Sequence, residues 1–234
     1  MDGRKIVSDI PIRLAVLDMA GTTVADGGLV LQAFETAATA GGIEQAGPER
    51  DRARQYVIET MGQSKIAVFR YLLGDEDKAQ HANRTFEDAY DALISDGRVT
   101  PIDGAAQAIS RLRDAGVKVA LTTGFSASTK EKLLAALAWT DIADLTLAPS
   151  EAGRGRPFPD LILTSLLRLE VNDVREVAVL GDTASDILAG RRAGAQIVAG
   201  TLTGAHDAAQ LGTAQPTHIV HSVVEFPDIV LRRI

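Results

Sequence analysis

Four side chains of the types that handle phosphoryl groups follow or lie between apolar runs of the sequence. Asp18 ends the first run, Thr123 follows the second, Asp182 follows the third, and Arg156 lies between the last two. Carboxylates alone would repel a phosphoryl dianion, so we expect a hard cation such as Mg²⁺ between Asp18 and Asp182. Arg156 would neutralise the remaining oxygens and Thr123 would orient them. The set indicates phosphoryl transfer with Asp18 as the nucleophile.

These side chains need strands that bring them to one place. Apolar runs that end in polar or glycine residues and lead into helical patterns are typical of a parallel α/β sheet. The pattern predicts strands at residues 14–18, 117–121, 177–180, 195–199 and 217–220. Ligands bind outside the carboxyl ends of such strands, so we expect the four side chains to meet there.

Residues 28–96 show apolar side chains at helical spacing and no convincing strand, which predicts a helical cap inserted into the sheet domain. Gly27 and Gly28 on one side, and Gly97 and Pro101 on the other, are the predicted hinges. We therefore predict a core domain of residues 1–26 and 99–234 and a cap domain of residues 27–98. A cap inserted just after the first strand would lie over the site.

Composition excludes several other functions. The 234 residues carry a net charge of −7 with no block of Lys or Arg, which argues against nucleic acid as a partner. The chain has no Cys and hence no disulfide, thiolate metal site or Cys nucleophile. No run approaches the roughly 20 apolar residues of a membrane span, and Met1 to Ile6 lack the apolar core of a signal peptide. We expect a cytoplasmic protein.

Four ordered motifs together resemble those of the haloacid dehalogenase (HAD) superfamily. They are Asp18-Met-Ala-Gly-Thr-Thr23, Thr123-Gly124, Arg156-Pro-Phe-Pro and Gly181-Asp182-Thr-Ala-Ser-Asp186. Within this superfamily the motifs more closely resemble those of the phosphonatases, the phosphonoacetaldehyde hydrolases, whose first motif has Ala at the position of Ala20 and whose third motif uses Arg. The resemblance implies a Rossmann-like α/β core with a C1-type helical cap and a homodimer formed through that cap.

The resemblance also implies roles for single residues. Asp18 would attack phosphorus to give an aspartyl-phosphate. Mg²⁺ would be held by Asp18, the Ala20 carbonyl and Asp182, with Asp186 bracing the metal site. The implied contacts to the phosphoryl oxygens come from Thr22, Thr123, Gly124 and Arg156.

The cap segment Met61-Gly-Gln-Ser-Lys65 resembles the phosphonatase segment that places a Schiff-base lysine beside a supporting methionine. Ala20 cannot protonate a leaving group, and an unactivated carbanion leaves phosphorus poorly. Lys65 condensed with an aldehyde would give a protonated imine, an electron sink that lets a C–P bond break. This chemistry needs a Lys65 pKa well below about 10.4, which a closed apolar cap could provide.

Other interpretations stay open from the sequence. Val68 and Phe125 stand where phosphonatases carry His and Tyr, so the chain could be a phosphatase of small phosphate monoesters. With Ala20 also lacking a protic group, it could be a catalytically weak phospholigand-binding protein. Among single residues, Arg156 could pair with Asp160, Lys65 could lie on a solvated helix face, and Asp182 and Asp186 could cap a helix.

Overall fold

The computed structural model describes residues 10–232, so our expectations for residues 1–9 lie outside the described residues. Eight strands and ten α-helices form within this range, with short 3₁₀ turns between some of them. The strands are β1 (Leu14–Asp18), β2 (Val24–Ala25), β3 (Thr100–Pro101), β4 (Lys118–Thr122), β5 (Leu145–Leu147), β6 (Val177–Gly181), β7 (Ile197–Thr201) and β8 (His218–Val220). The helices are α1 (Leu29–Ala40), α2 (Pro48–Glu59), α3 (Lys65–Leu73), α4 (Glu76–Ser95), α5 (Ala105–Asp114), α6 (Ala127–Ala136), α7 (Asp160–Arg168), α8 (Ala184–Ala193), α9 (Ala208–Thr213) and α10 (Phe226–Leu231).

Six strands form one parallel sheet in the order β5-β4-β1-β6-β7-β8. Every residue of β1, β6 and β7 is buried, as expected for strands covered by helices on both faces. Side chains of β1 alternate between two apolar clusters, with Ala15 and Leu17 in one and Leu14 and Val16 in the other. The predicted α/β fold with a parallel sheet is confirmed.

The sequence pattern predicted five of these six strands, with small errors at their ends. The strand predicted at 117–121 lies one residue later, and the one predicted at 195–199 ends at Thr201. Strand β5 was missed because its three residues follow a polar segment and are too short to show a pattern. The pair β2 and β3 was also missed, since each strand has only two residues.

The segment between β2 and β3 contains only helices among its regular elements, α1 to α4. Strands β2 and β3 pair antiparallel, with Val24 opposite Pro101, so the chain enters and leaves this helical segment side by side. Gly27, Gly28 and Gly97 all adopt positive φ at the two ends. We call residues 27–98 the cap and the remainder the core; this division into two domains stays a prediction.

Aromatic rings link the cap to the core. Phe125, which follows β4, lies with its ring centroid 4.5 Å from that of Tyr90 and 6.3 Å from that of Phe86, both on α4. The cap and the core therefore share one apolar cluster. None of the helices in residues 10–232 is long and apolar enough to cross a membrane.

Candidate active site

The carboxyl ends of the central strands bring the predicted carboxylates together. Asp18 is the last residue of β1, and Asp182 follows β6, the neighbouring strand. On the other side of β1, Thr122 is the register partner of Asp18, and Thr123 follows it. All four side chains are buried, although each is polar. Buried polar groups require partners, and these partners define the site.

Arg156 is the cation at the centre of this group. Its Nη1 lies 2.7 Å from Asp18 Oδ1 and its Nε lies 2.7 Å from Asp186 Oδ1. Its Nη2 donates a hydrogen bond of 2.6 Å to Thr122 Oγ1. The guanidinium thus ties the loop before α7 to the ends of β1 and β4 and to α8.

Asp160 pairs with Arg154 and not with Arg156. Arg154 donates from Nε and Nη2 to the two Asp160 oxygens at 3.0 and 2.8 Å, and its side chain is 62% exposed. Its guanidinium carbon lies 4.3 Å from the centroid of the Phe158 ring. Arg154 therefore lies at the surface, and the alternative interpretation in which Arg156 pairs with Asp160 was wrong.

Asp182 is held by the loops that follow β1 and β7. Its Oδ1 accepts the Thr22 hydroxyl at 3.3 Å and its Oδ2 accepts the Ala205 N–H at 2.7 Å. A Cβ added to Gly21 or Gly204 would lie 2.3 or 2.0 Å from Asp182 Oδ2, and Gly21 has φ +88°. Glycine at both positions lets the backbone close around this carboxylate.

Asp186 lies in the first turn of α8 and has two sets of partners. One oxygen pairs with Arg156, and the other accepts the backbone N–H and the hydroxyl of Thr183, which caps the helix. The helix-capping interpretation of Asp186 thus describes one of its two contacts. Asp18 and Asp182 line the cavity of the site. Asp186 and Thr22 do not line it, and they contact Arg156 and Asp182, respectively.

The donor set fits a divalent cation. Arg156 pairs with Asp18 and Asp186, and Asp182 adds a third buried carboxylate, so the cluster has an excess of negative charge. Burial raises the pKa of Asp18 to about 7 although Arg156 opposes the rise. Burial and the charge of Asp18 raise the pKa of Asp182. A hard cation would relieve this repulsion, because its preferred ligands are oxygens.

No three His, Cys, Asp or Glu side chains among residues 10–232 are arranged to hold a metal by themselves. Mg²⁺ needs fewer, since it keeps several waters and often takes only one or two carboxylates. Asp18 and Asp182 would supply these two, with the Ala20 carbonyl as a third oxygen ligand.

The cap loop that connects α2 to α3 packs closely against the core. A Cβ on Gly62 would lie 2.6 Å from Thr183 Oγ1, and one on Gly124 would lie 2.6 Å from the carbonyl oxygen of Gln63. A Cβ on Gly155 would lie 3.0 Å from Ser64 Cβ. Three glycines thus allow the backbone before Lys65 to approach the core closely.

His206 forms a second bridge between cap and core. Its Nδ1 accepts the Ala184 N–H at 3.0 Å, which leaves Nε2–H to donate to the Ile58 carbonyl at 3.0 Å. Ala184 begins α8 of the core, and Ile58 lies at the end of α2 in the cap. The structure therefore has the cap closed on the core.

Lys65, the first residue of α3, points into this closed interface. Its Nζ donates to the Gln63 carbonyl at 3.4 Å and lies 5.4 Å from the centroid of the Phe125 ring and 5.8 Å from that of Phe86. Burial lowers the pKa of Lys65 to about 8, against the opposing charges of Asp26 and Asp18. The solvated-face interpretation of Lys65 was wrong.

One cavity of about 30 Å³ joins the cap residues to the core residues. It is lined by Met61 and Lys65 from the cap segment and by Asp18, Ala20, Thr123, Gly124, Arg156 and Asp182 from the core. A wider cavity of about 480 Å³ lies beside it and shares Lys65, Gly124, Phe125 and Arg156 with it. The small cavity has room for one or two waters, so a substrate must enter while the cap is more open.

Several residues of the site could not be found from the sequence. Thr122 anchors Arg156, and His206 bridges cap and core, but both act through residues far away along the chain. Asp26, which lines the small cavity, had one local signal: it comes just before the helical pattern of the cap. That signal resembles an ordinary helix cap.

Comparison with known proteins identifies the family. A family model described as haloacid dehalogenase-like hydrolase matches residues 12–194. The chain belongs to this family of hydrolases. A curated relative from Pseudomonas aeruginosa, named phosphonoacetaldehyde hydrolase, is 32% identical over 206 residues, which cover 82% of this chain and 74% of the relative.

Solved structures agree on the fold. A hydrolase from Pseudomonas syringae matches with a TM-score of 0.82 and 21% identity, over 94% of this chain and 98% of that one. A phosphonoacetaldehyde hydrolase-like protein from Oleispira antarctica matches with a TM-score of 0.81 and 23% identity, over 96% and 93% of the two chains. At these identities the similarity shows the HAD fold alone.

Proposed function

We propose that this hydrolase cleaves the C–P bond of a small phosphonate that carries an aldehyde group. The observation that carries the proposal is the small cavity, whose lining includes Lys65 from the cap and Asp18 from the core. Ala20 lines the same cavity and cannot act as an acid. The relatives named phosphonoacetaldehyde hydrolase support the same substrate class.

The reaction would begin on the cap. The neutral amine of Lys65 adds to the aldehyde carbon, and uptake of one proton with loss of water leaves a protonated imine. Asp18 then attacks phosphorus, so that an O–P bond forms and the C–P bond breaks. The electron pair of the C–P bond moves into the imine and gives an enamine. Water hydrolyses the aspartyl-phosphate on Asp18, and protonation and hydrolysis of the enamine release the aldehyde product and restore Lys65.

The core residues orient the phosphonate oxygens. Arg156 would exchange part of its pairing with Asp18 for a phosphonate oxygen, while Asp186 and Thr122 keep the guanidinium in place. The Thr123 hydroxyl accepts the Phe125 N–H at 3.1 Å, so its own proton can be donated to the substrate. Mg²⁺, held by Asp18, Asp182 and the Ala20 carbonyl, would neutralise the charge of the phosphonate.

The experiment is borohydride trapping with phosphonoacetaldehyde, followed by mass spectrometry of the peptide that contains Lys65. We expect a reduced adduct on Lys65 in the wild type and in Asp18→Asn, but no phosphate release by Asp18→Asn. Lys65→Arg should give neither adduct nor phosphate. Absence of any adduct from wild-type protein with phosphono-aldehydes refutes the imine mechanism.

A panel of phosphonates and phosphate monoesters, each with and without Mg²⁺, separates the alternatives. Turnover of monoesters that Lys65→Arg leaves intact would make the protein a phosphatase. No phosphate release from any compound, with Mg²⁺-dependent binding retained by Asp18→Asn, would make it a phospholigand-binding protein.

A further inference from the structure

Imine formation needs a group that exchanges protons with Lys65 and with the carbonyl oxygen. Of the described residues that line the small cavity, the ionisable ones are Asp18, Asp26, Lys65, Arg156 and Asp182. Asp18 is paired with Arg156 and is the nucleophile of the proposed reaction, and Asp182 lies beside it as the second proposed ligand of the cation. A guanidinium cannot accept a proton. Asp26 is the remaining carboxylate of the cavity, and neither of these roles occupies it.

The geometry holds the Asp26 carboxylate in place. Its Oδ1 accepts the Val30 N–H at 3.1 Å and its Oδ2 accepts the Gly28 N–H at 3.1 Å, at the start of α1. Each oxygen has a further lone pair, so a carboxylate fixed in this way can still accept a proton. The rings of Phe125 from the core and Phe86 from α4 lie 5.4 and 5.8 Å from Lys65 Nζ, and Val68 in the next turn of α3 is a buried apolar residue.

Burial brings the pKa values of Asp26 and Lys65 closer together. It raises the pKa of Asp26 and lowers the pKa of Lys65, and the charge of each opposes the effect of burial on the other. The other charged groups that act on Lys65 are Asp18, Arg156 and Asp182. Proton exchange between an acid and a base becomes easier as their pKa values approach each other.

We propose that Asp26 accepts the proton of the Lys65 ammonium and returns it to the carbonyl oxygen of the substrate as the imine forms. The proposal rests on the imine mechanism above. The ammonium gives one proton to Asp26 through one water, for which the cavity has room. The neutral amine attacks the carbonyl carbon, and the N–C bond forms as the C=O π electrons move to oxygen. That oxygen takes the proton from Asp26 and a second one from the nitrogen, and leaves as water. The product is the protonated imine.

The test compares Asp26→Asn with Asp75→Asn. Asp75 is a matched control because it is an exposed aspartate that caps α4 by accepting the Lys78 N–H at 2.9 Å, away from the cavity. Asp26→Ser is a second variant, whose hydroxyl can still accept a backbone N–H at the start of α1 but carries no charge. Two quantities are measured in the full chain: the rate of adduct formation with phosphonoacetaldehyde and borohydride, and the pH dependence of Lys65 methylation by formaldehyde and cyanoborohydride.

Both Asp26 variants should form the adduct about 100-fold more slowly than the wild type, the usual effect of removing a general acid–base. Their Lys65 methylation should reach half its maximum at a lower pH than in the wild type, because a negative charge that raises the pKa of Lys65 is lost. A merely structural effect would slow the reaction by opening the site, and the pKa of Lys65 would then rise. Asp75→Asn should change neither quantity.

Adduct formation within twofold of the wild type in both Asp26 variants overturns the role of Asp26 and leaves the imine mechanism intact. No adduct in the wild type overturns the imine mechanism and, with it, the role of Asp26 in that reaction. The pH profile of Lys65 methylation reports the pKa of Lys65 under either outcome, because its reagent is formaldehyde and not the phosphonate.

Discussion

Replacing Gly124 by Ala should push the Lys65 loop away from the core. The added Cβ would lie 2.6 Å from the Gln63 carbonyl oxygen and 2.8 Å from that of Gly62. The first of these is 0.8 Å shorter than the 3.4 Å at which ordinary van der Waals contact begins. Both neighbours are backbone atoms, so a side-chain rotation cannot relieve the contact. The loop itself must move by most of an ångström.

Two consequences of this movement can be calculated. A displacement of about 1 Å between reacting groups costs about 100-fold in rate, so kcat/KM should fall by about that factor. Opening the interface also returns water to Lys65, and its pKa should rise from about 8 towards 10.5 because burial is what lowers it. At pH 7 the neutral fraction of Lys65 would then fall from about 10% to about 0.03% if the shift were complete.

The assays are steady-state phosphate release and the pH profile of Lys65 methylation. Gly212→Ala is the matched control, because nothing lies within 4 Å of a Cβ at that position and the residue lies in α9. In the wild type and in Gly212→Ala, methylation should increase with pH around a midpoint near 8, whereas Gly124→Ala should move the midpoint upward. A Gly124→Ala enzyme with wild-type kcat/KM and an unmoved midpoint would refute the claim that cap closure creates the reactive amine.

Three further substitutions test single contacts. Tyr90→Phe should increase the free energy of unfolding by about 1 kcal/mol in urea titrations, because the buried Tyr90 hydroxyl has no hydrogen-bond partner within residues 10–232; a loss of stability would show that it has one. His206→Ala should lower the unfolding free energy by about 2 kcal/mol and raise KM, since it removes a bond to Ile58; an unchanged KM would exclude a role in closure. Arg156→Lys should reduce kcat/KM by at least about 100-fold because an ammonium cannot reach three partners, whereas Arg154→Lys should leave it within about twofold; equal effects of the two changes would contradict their assignment.

Much of the fold follows from local patterns. A parallel strand covered on both faces must be apolar along its whole length, so β1 and β6 stand out in the sequence and their ends locate Asp18 and Asp182. Strand β5 has three residues and two of them are only partly buried, so it has no comparable pattern. Its presence depends on pairing with β4, a tertiary contact that local sequence does not encode.

The directions in which loop side chains point could not be predicted from the sequence. Arg154 and Arg156 are two residues apart in one loop, and each has a carboxylate within reach. In the structure, Arg154 pairs with Asp160 at the surface, whereas Arg156 is surrounded by three buried acceptors from different elements. A contact of this kind depends on the whole fold.

The position of Lys65 on the cap makes its reactivity depend on closure. In water the pKa of a lysine leaves almost no neutral amine at pH 7. Contact between the cap loop and Gly124 brings Lys65 into the cavity of Asp18, where burial lowers its pKa. An open enzyme would therefore hold a protonated Lys65 that does not react with free aldehydes. Closure over a bound substrate would produce the nucleophile only where the phosphonate already faces Asp18. The imine formed there would accept the electron pair of the C–P bond, so an acid at residue 20 would not be needed.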